Sequence, residues 1–284
     1  SGTIYLDAWF GSRGVVAGGY SSGSAQINNI DYFIINNPSN ASDFGNMTET
    51  RAQTGAASDG SRGVFAGGSS KNKIDYVTIS TPGNATNFGT LSVSMSTTGF
   101  SNGSRGVFAG GSYNRTVWVT IASTSNSYGA HTLTQQRSWS GGCNDQTRGV
   151  VAGGYYYSVG YMNIIDYFTT ASMSNGTDFG DLSVSRSGIG GTSDTTRGVF
   201  VGGNSNTIDY ITIATTGNAT DFGDTPASQN NGKAACGDGV YGVVMGGTSH
   251  WTDMSRLTIQ TTGNSTDFGN LYYGRRMGCG CSGS

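Results

Sequence analysis

Short apolar segments, each opened by Arg-Gly or Tyr-Gly and closed by two glycines, recur along the chain at nearly constant spacing. The segment Arg-Gly-Val-Val-Ala-Gly-Gly begins at residue 13, and close variants begin at residues 62, 105, 148, 197 and 241. The intervals between these starting points are 49, 43, 43, 49 and 44 residues. Each segment is rich in β-branched residues and ends in two glycines, which is typical of a buried strand. No segment has a sustained helical period, so the pattern predicts an all-β repeat protein.

Three further segments complete each repeat. Residues 30–35 (Ile-Asp-Tyr-Phe-Ile-Ile) are typical of the second strand, residues 221–223 (Asp-Phe-Gly) lie at the centre of a short third strand, and residues 187–193 are an example of a segment of mostly small residues. We name the strands a (small residues), b (the Arg-Gly segment), c and d. Four short strands in each of six repeats predict a single six-bladed β-propeller over residues 1–284. Small side chains suit strand a because the innermost strands converge on the propeller axis.

An arginine four residues after the Leu or Met that ends strand d and an aspartate at the start of strand c occur together or are absent together. The pairs are Arg51–Asp75, Arg137–Asp166, Arg186–Asp209 and Arg275–Asp31, whereas the third repeat has Met95 and Val117 and the sixth has Gln229 and Ser255. We expect an ion pair within each blade, with the arginine on strand a reaching across the glycines of strand b to the aspartate on strand c. Loss of one partner alone would leave a buried charge, at a cost of about 3–5 kcal/mol.

The same pairing predicts how the ring closes. Asp31 in the first repeat has no arginine nearby in sequence, and Arg275 near the C-terminus is the one left over. We therefore expect residues 271–281 to form strand a of the first blade and to pair with the strand at residues 13–19. The alternative is that residues 3–8 take that place.

The repeat resembles the kelch family in the two glycines that end strand b, the tyrosine in strand c and the aromatic residue in strand d. This resemblance covers nearly the whole chain and implies a kelch-like propeller, although strand d has Phe where kelch repeats usually have Trp. The wording of the Asn-Ala-Thr-Asp-Phe-Gly segment, as at residues 218–223, also resembles repeats in virion proteins of marine bacteriophages, particularly of the cyanophage type. Some kelch propellers are enzymes, such as copper radical oxidases, which need Tyr and His ligands grouped at the axis.

Composition and charge exclude several functions. Charged residues make up 11% of the chain, the net charge is −2, and the three lysines are not clustered with arginines into a basic stripe. A nucleic-acid partner is therefore not expected. No apolar run approaches the roughly 18 residues of a membrane span, so membrane insertion is not expected either. The N-terminus lacks the features of an intact signal peptide.

Candidate catalytic and metal-binding residues are sparse. His131 and His250 lie in separate connections, and neither belongs to a recognisable triad. The four cysteines, Cys143, Cys236, Cys279 and Cys281, form no C-x-x-C pair and are interpreted as small buried thiols. The Asn and Asp of the Asn-Ala-Thr-Asp-Phe-Gly segment are expected to bond locally within a turn rather than to bind calcium. We expect no enzyme activity, no metal and no cofactor.

The loops between strands b and c vary most in length and content, and all should emerge on one face. They cover residues 20–29, 69–73, 112–115, 155–163, 204–206 and 248–253. Aromatic side chains in these loops are the candidate ligand contacts, because they combine contact area with a polar group. The candidates are Tyr20, Tyr113, Tyr155, Tyr156, Tyr157, Tyr161, His250 and Trp251.

These features favour a non-enzymatic binding module that recognises a glycan or protein on a cell surface. The expected location is a virion or the extracellular space, as part of a phage fibre or another appendage. The first alternative is a structural or assembly protein whose partners are other virion or filament proteins. A carbohydrate-active enzyme is the second alternative, and it would require paired carboxylates.

Overall fold

The computed structural model describes residues 10–111, 113–226, 232–248 and 251–284, and it confirms the predicted architecture. These residues form 24 strands and contain no helix. The strands make six antiparallel sheets of four strands each, and strand a of every sheet contacts strand a of the next sheet. The molecule is therefore a six-bladed β-propeller, with strand a at the axis and strand d at the outer rim.

The strands are numbered in chain order and grouped here by blade. Blade 1 contains β1 (Arg13–Ala17), β2 (Asn29–Ile34), β3 (Ser42–Asn46) and β24 (Cys279–Gly283). Blade 2 contains β4 (Gly55–Ser58), β5 (Arg62–Ala66), β6 (Lys73–Thr78) and β7 (Thr86–Thr90). Blade 3 contains β8 (Thr98–Ser101), β9 (Arg105–Gly110), β10 (Arg115–Thr120) and β11 (Tyr128–His131). Blade 4 contains β12 (Gly141–Asn144), β13 (Arg148–Tyr156), β14 (Gly160–Thr169) and β15 (Thr177–Asp181). Blade 5 contains β16 (Gly190–Ser193), β17 (Arg197–Val201), β18 (Thr207–Thr212) and β19 (Thr220–Asp224). Blade 6 contains β20 (Ala234–Gly237), β21 (Tyr241–Met245), β22 (Asp253–Thr258) and β23 (Thr266–Asn270).

The ring closes through the C-terminal strand, as predicted. Strand β24 pairs antiparallel with β1, with Cys281 opposite Val15 and Cys279 opposite Ala17. The predicted bounds of this strand, 271–281, were wrong. Residues 271–278 form the connection between blades, and the strand itself covers Cys279–Gly283. The alternative strand at residues 3–8 lies outside the described residues.

The glycine after the arginine of strand b is required by the neighbouring blade. A Cβ atom added to Gly198 would lie 2.5 Å from Cys143 Sγ of blade 4, well inside contact distance. The corresponding Gly14 and Gly63 face Cys236 and Cys281 in the same way. All four cysteines are free and buried, which confirms their predicted packing role. Each of these three blades thus inserts a thiol into a space that the next blade leaves open.

The arginine that opens strand b fastens its blade to the next one. Arg197 lies over the ring of Tyr210 in strand c, with its guanidinium carbon 4.2 Å from the ring centroid, and it donates a hydrogen bond to Ile259 O in blade 6. Blade 6 has Tyr241 in the arginine position, but Arg256 stands where the other blades have their aromatic residue. Arg256 lies 4.4 Å from the Tyr241 ring centroid and donates to Asn36 O of blade 1. Blade 6 therefore keeps the contact between an arginine and an aromatic ring, with the two residues exchanged between strands b and c.

The recurrent asparagine joins blades rather than bonding within its own turn, so the predicted local bond was wrong. Asn218 Oδ1 accepts a hydrogen bond of 3.0 Å from the backbone N–H of Asp181 in strand d of the preceding blade. The equivalent side-chain oxygens of Asn40, Asn84, Asn126, Asn175 and Asn264 accept the same bond at 2.9–3.2 Å. This contact repeats at all six junctions because adjacent blades present their outer edges at the same angle.

All four predicted ion pairs are present. Their closest nitrogen–oxygen distances are 2.7 Å for Arg51–Asp75, 3.0 Å for Arg137–Asp166, 2.9 Å for Arg186–Asp209 and 2.7 Å for Arg275–Asp31. Every one of these side chains is at most 1% exposed. The arginines lie in the connection before strand a, rather than on the strand as predicted. Since each aspartate also accepts a backbone N–H from the same connection, the pair holds that connection in place.

The two blades without this ion pair have other residues at the two positions. In blade 3, Met95 and Val117 are buried in one apolar cluster. In blade 6, Ser255 is buried and Gln229 lies outside the described residues. Lys233 donates there to Gly246 O, which corresponds to the Gly67 O that Arg51 contacts in blade 2. A lysine from a different sequence position thus makes in blade 6 the carbonyl contact that the arginine makes in blade 2.

Candidate ligand-binding face

The b-to-c loops emerge on one face, and the d-to-a connections share it. Strand a begins where strand b ends, as Gly55 opposite Ala66 shows. The segment that precedes strand a and the loop that follows strand b therefore lie at the same end of each blade. The variable loops singled out in the sequence surround a central opening whose rim is formed by the d-to-a connections.

The opening is a small recess on the propeller axis. It encloses about 80 Å³ that water-sized molecules can occupy. The residue two positions before strand a lines it in every blade, and these residues are Gln53, Ser96, Trp139, Gly188, Gly232 and Met277. We call them the mouth ring.

Several members of the mouth ring have a strained backbone. Gln53, Trp139 and Met277 have φ angles of 62°, 63° and 53°, in the left-handed region that favours glycine. Gly188 and Gly232 adopt the same conformation at 67° and 82° without a side chain. A left-handed residue other than glycine costs roughly 1–2 kcal/mol. Such strain is often found at functional sites, and here the ion-paired connections hold it in place.

Gln53 is oriented by a hydrogen-bond network. Its Oε1 accepts from Ser69 Oγ at 2.8 Å and from Ser96 Oγ at 2.6 Å. The hydroxyl of Ser69 also lies 3.1 Å from the hydroxyl of Tyr20, one of the predicted ligand residues. The amide Nε2 is left with the sulfur of Met277, 3.6 Å away. The network therefore fixes which end of the carboxamide accepts and which end donates.

One aromatic group lies at blade 4. The ring of Trp139 stacks on Tyr155 with centroids 5.4 Å apart, and Tyr155 contacts Tyr161 at 5.5 Å. Strand β13 continues past Gly153 and Gly154, and it forms with β14 a hairpin that is longer than in the other blades. The hairpin carries Tyr156 and Tyr157, whose rings contact each other at 4.6 Å, and Tyr157 is 78% exposed. The structure thus brings four predicted tyrosines together with Trp139.

A second group lies on the opposite side of the mouth, at blades 6 and 1. The guanidinium carbon of Arg276 is 5.3 Å from the ring centroid of Tyr20 and 5.6 Å from that of Trp251. Backbone bonds between Tyr20 and Arg276 fix this arrangement. The predicted residues therefore form two separate groups rather than one continuous surface. Arg276 also places a positive charge between two of them.

Tyr113 belongs to neither group. It is 63% exposed in the loop of blade 3, and no contact with the other described candidates is seen. His250 lies outside the described residues.

Titratable groups offer little chemistry near the recess. Burial raises the pKa of Cys279 to about 11, so its thiol is a poor nucleophile at neutral pH. Burial lowers the pKa of Lys233 to about 7, and the nearby charge of Asp253 partly offsets this effect. No group of three or more His, Cys, Asp or Glu side chains within the described ranges is placed to hold a metal ion. The recess offers hydrogen bonds, apolar contact and aromatic faces, which are the means of binding.

Comparison with known proteins adds no further assignment. No family model matches the chain, and no curated protein matches it at a significant level. The resemblance to kelch repeats and to phage virion repeats therefore stays a prediction, whereas the six-bladed propeller is established by the fold. Among the described residues, no helix has the length and hydropathy needed to cross a bilayer.

The sequence interpretation missed Gln53, Trp139 and Met277. Their position does carry a signal in the sequence, because it varies within a repeat that is otherwise nearly constant. It lies two residues after the paired arginine and holds Gln, Trp, Gly and Met in the four blades that have the pair. Position in the repeat alone does not reveal that these residues meet at the axis.

Proposed function

We propose that the protein is a non-enzymatic binding module that recognises a glycan or a protein on a cell surface. In this proposal the module belongs to a phage fibre or another extracellular appendage, and the ligand lies across the mouth between the two aromatic groups. The observation that carries the proposal is the concentration of unique aromatic side chains on one face. Propellers commonly serve as binding or scaffold modules, and their function resides in such variable surfaces.

The fate of the recurrent polar residues supports this assignment. The paired arginines and aspartates are buried within blades, and the asparagines and the strand-b arginines bind neighbouring blades. These residues are occupied in maintaining the ring, so they are not free to act on a substrate. Tyr156, Tyr157 and Trp251 have no counterpart in the other repeats, and aromatic residues suit both sugar rings and protein surfaces.

The test compares binding by the wild type and by the double variant Tyr156→Ala/Trp251→Ala, which removes one ring from each group. The probes are an array of bacterial surface polysaccharides and intact cells. We expect the variant to lose at least tenfold in affinity while keeping its melting temperature. The matched control is Tyr128→Ala/Val240→Ala, because these residues are 51% and 55% exposed and lie away from the mouth face.

Unchanged binding by the folded double variant would refute the proposed face. Absence of binding to any glycan or cell, together with recovery of the chain only in purified virions or filaments, would refute the receptor function and favour the assembly role.

A further inference from the structure

The recess inside the mouth ring is the size of a substituent rather than of a sugar ring. A cavity needs roughly 10–15 Å³ of such space to hold one water molecule, so the recess of about 80 Å³ has room for roughly five to eight waters. A glycan that reaches the axis would place one side group in the recess and its ring above it, at the level of Trp139.

The recess offers a hydrogen-bond donor in a fixed position. Because Ser69 and Ser96 donate to Gln53 Oε1, the amide nitrogen must face the remaining direction. Its one described partner is the thioether of Met277 at 3.6 Å, and a thioether is a weak acceptor. A ligand carbonyl could therefore replace a poor hydrogen bond with a good one.

The remaining wall favours a neutral group that has both polar and apolar atoms. Met277, Ile189 and the axial glycines line the recess together with the hydroxyl-bearing residues Thr54, Thr97 and Ser140, and no described Asp or Glu does so. Lys233 also borders it and donates to Gly246 O, but burial lowers its pKa to about 7. An ionised carboxylate would be buried beside a group that carries only part of a positive charge at neutral pH, which is costly. An acetamido group has a carbonyl oxygen for the amide nitrogen of Gln53 and a methyl group for the apolar wall.

Trp139 is held where the sugar ring would lie. Its indole is stacked on Tyr155 at an interplanar angle of 15°, and its backbone is in the left-handed conformation. Both features fix the indole beside the recess, where an aromatic face can pack on a pyranose ring.

We propose that the recess binds the N-acetyl group of an amino sugar, with Gln53 donating to its carbonyl and Trp139 contacting its ring. This inference rests on the proposed function and names the ligand class within it.

The experiment measures binding of the methyl glycosides of N-acetylglucosamine and N-acetylgalactosamine, and of the parent glucose and galactose, by ligand-observed NMR titration. We expect at least one N-acetylated glycoside to bind roughly tenfold or more tightly than its parent, because the parent leaves the amide donor without a good acceptor. Gln53→Glu keeps the shape and the acceptor but removes the donor, so it should abolish this preference. Gln53→Met should do the same without adding a charge.

The control is Gln146→Met, because Gln146 is also a half-buried glutamine with a left-handed backbone, at φ 77°, but lies in an a-to-b turn on the opposite face. It should leave binding unchanged. Equal binding of parent and N-acetylated glycosides, or an unchanged preference in folded Gln53 variants, would overturn this inference but leave the proposed function standing. Absence of binding to these four glycosides and to every glycan on the array would overturn the inference and the glycan form of the proposed function together.

Discussion

Replacing Arg186 alone should destabilise the protein far more than replacing Arg186 and Asp209 together. Both side chains are fully buried, and their closest atoms are 2.9 Å apart. In Arg186→Met the carboxylate of Asp209 keeps only the two hydrogen bonds from Ser183, at 2.6 and 3.2 Å. In Asp209→Val the guanidinium keeps only its backbone carbonyl partners, Thr207 O and Phe200 O. Each single variant leaves a buried charge and should lose about 3–5 kcal/mol.

The double variant Arg186→Met/Asp209→Val copies what blade 3 already has. Met95 and Val117 are both buried there in an apolar cluster. We expect a loss of about 1–2 kcal/mol rather than none, because the connection of blade 3 is one residue shorter than that of blade 5 and the copy cannot pack identically. The coupling energy between the two substitutions should therefore be several kcal/mol in size.

The assay is urea unfolding followed by tryptophan fluorescence, after reversibility has been checked. Melting temperatures give a second readout, at about 2–4 °C per kcal/mol for a large domain. The matched control is the same cycle on Lys71 and Glu49, a half-exposed pair at 3.3 Å. Its coupling should stay below about 1 kcal/mol. Additive losses in the Arg186 and Asp209 cycle would show that the co-occurrence of the two residues has no energetic basis.

Three further predictions test contacts between blades and the buried lysine. The double variant Tyr241→Arg/Arg256→Tyr should have a higher melting temperature than either single variant, because it restores the order of arginine and aromatic residue found in the other blades. A double variant that melts as low as the single variants would contradict the exchanged pair. Asn218→Ala should cost about 0.5–1.5 kcal/mol in urea unfolding through loss of one hydrogen bond, and no loss would contradict the inter-blade role. For Lys233, burial lowers the folded-state pKa from 10.5 to about 7, so between these values the unfolded chain binds more protons and stability rises with pH. The melting temperature of the wild type relative to Lys233→Met should therefore increase from pH 7 to pH 10, and a constant difference would refute the shift.

The blade count, the order of strands and the four ion pairs could be predicted from the repeat pattern of the amino-acid sequence. Strands b and c could be recognised because their β-branched and aromatic segments recur in the six repeats, and repetition excludes chance matches. Arg275 and Asp31 could be matched, although they are far apart in the chain, because each lacked the partner that the repeat supplies elsewhere.

The contacts that depend on how the blades meet could not be predicted from the sequence and were found in the three-dimensional structure. The exchange of Tyr241 and Arg256, the role of Lys233 in blade 6 and the inter-blade bond of Asn218 join residues through the angle between adjacent sheets, which no local pattern encodes. The mouth ring could not be predicted from local sequence either, because Gln53, Trp139 and Met277 lie in different repeats. They meet only because six connections converge on one axis, and a left-handed backbone at a residue other than glycine has no signature in the sequence.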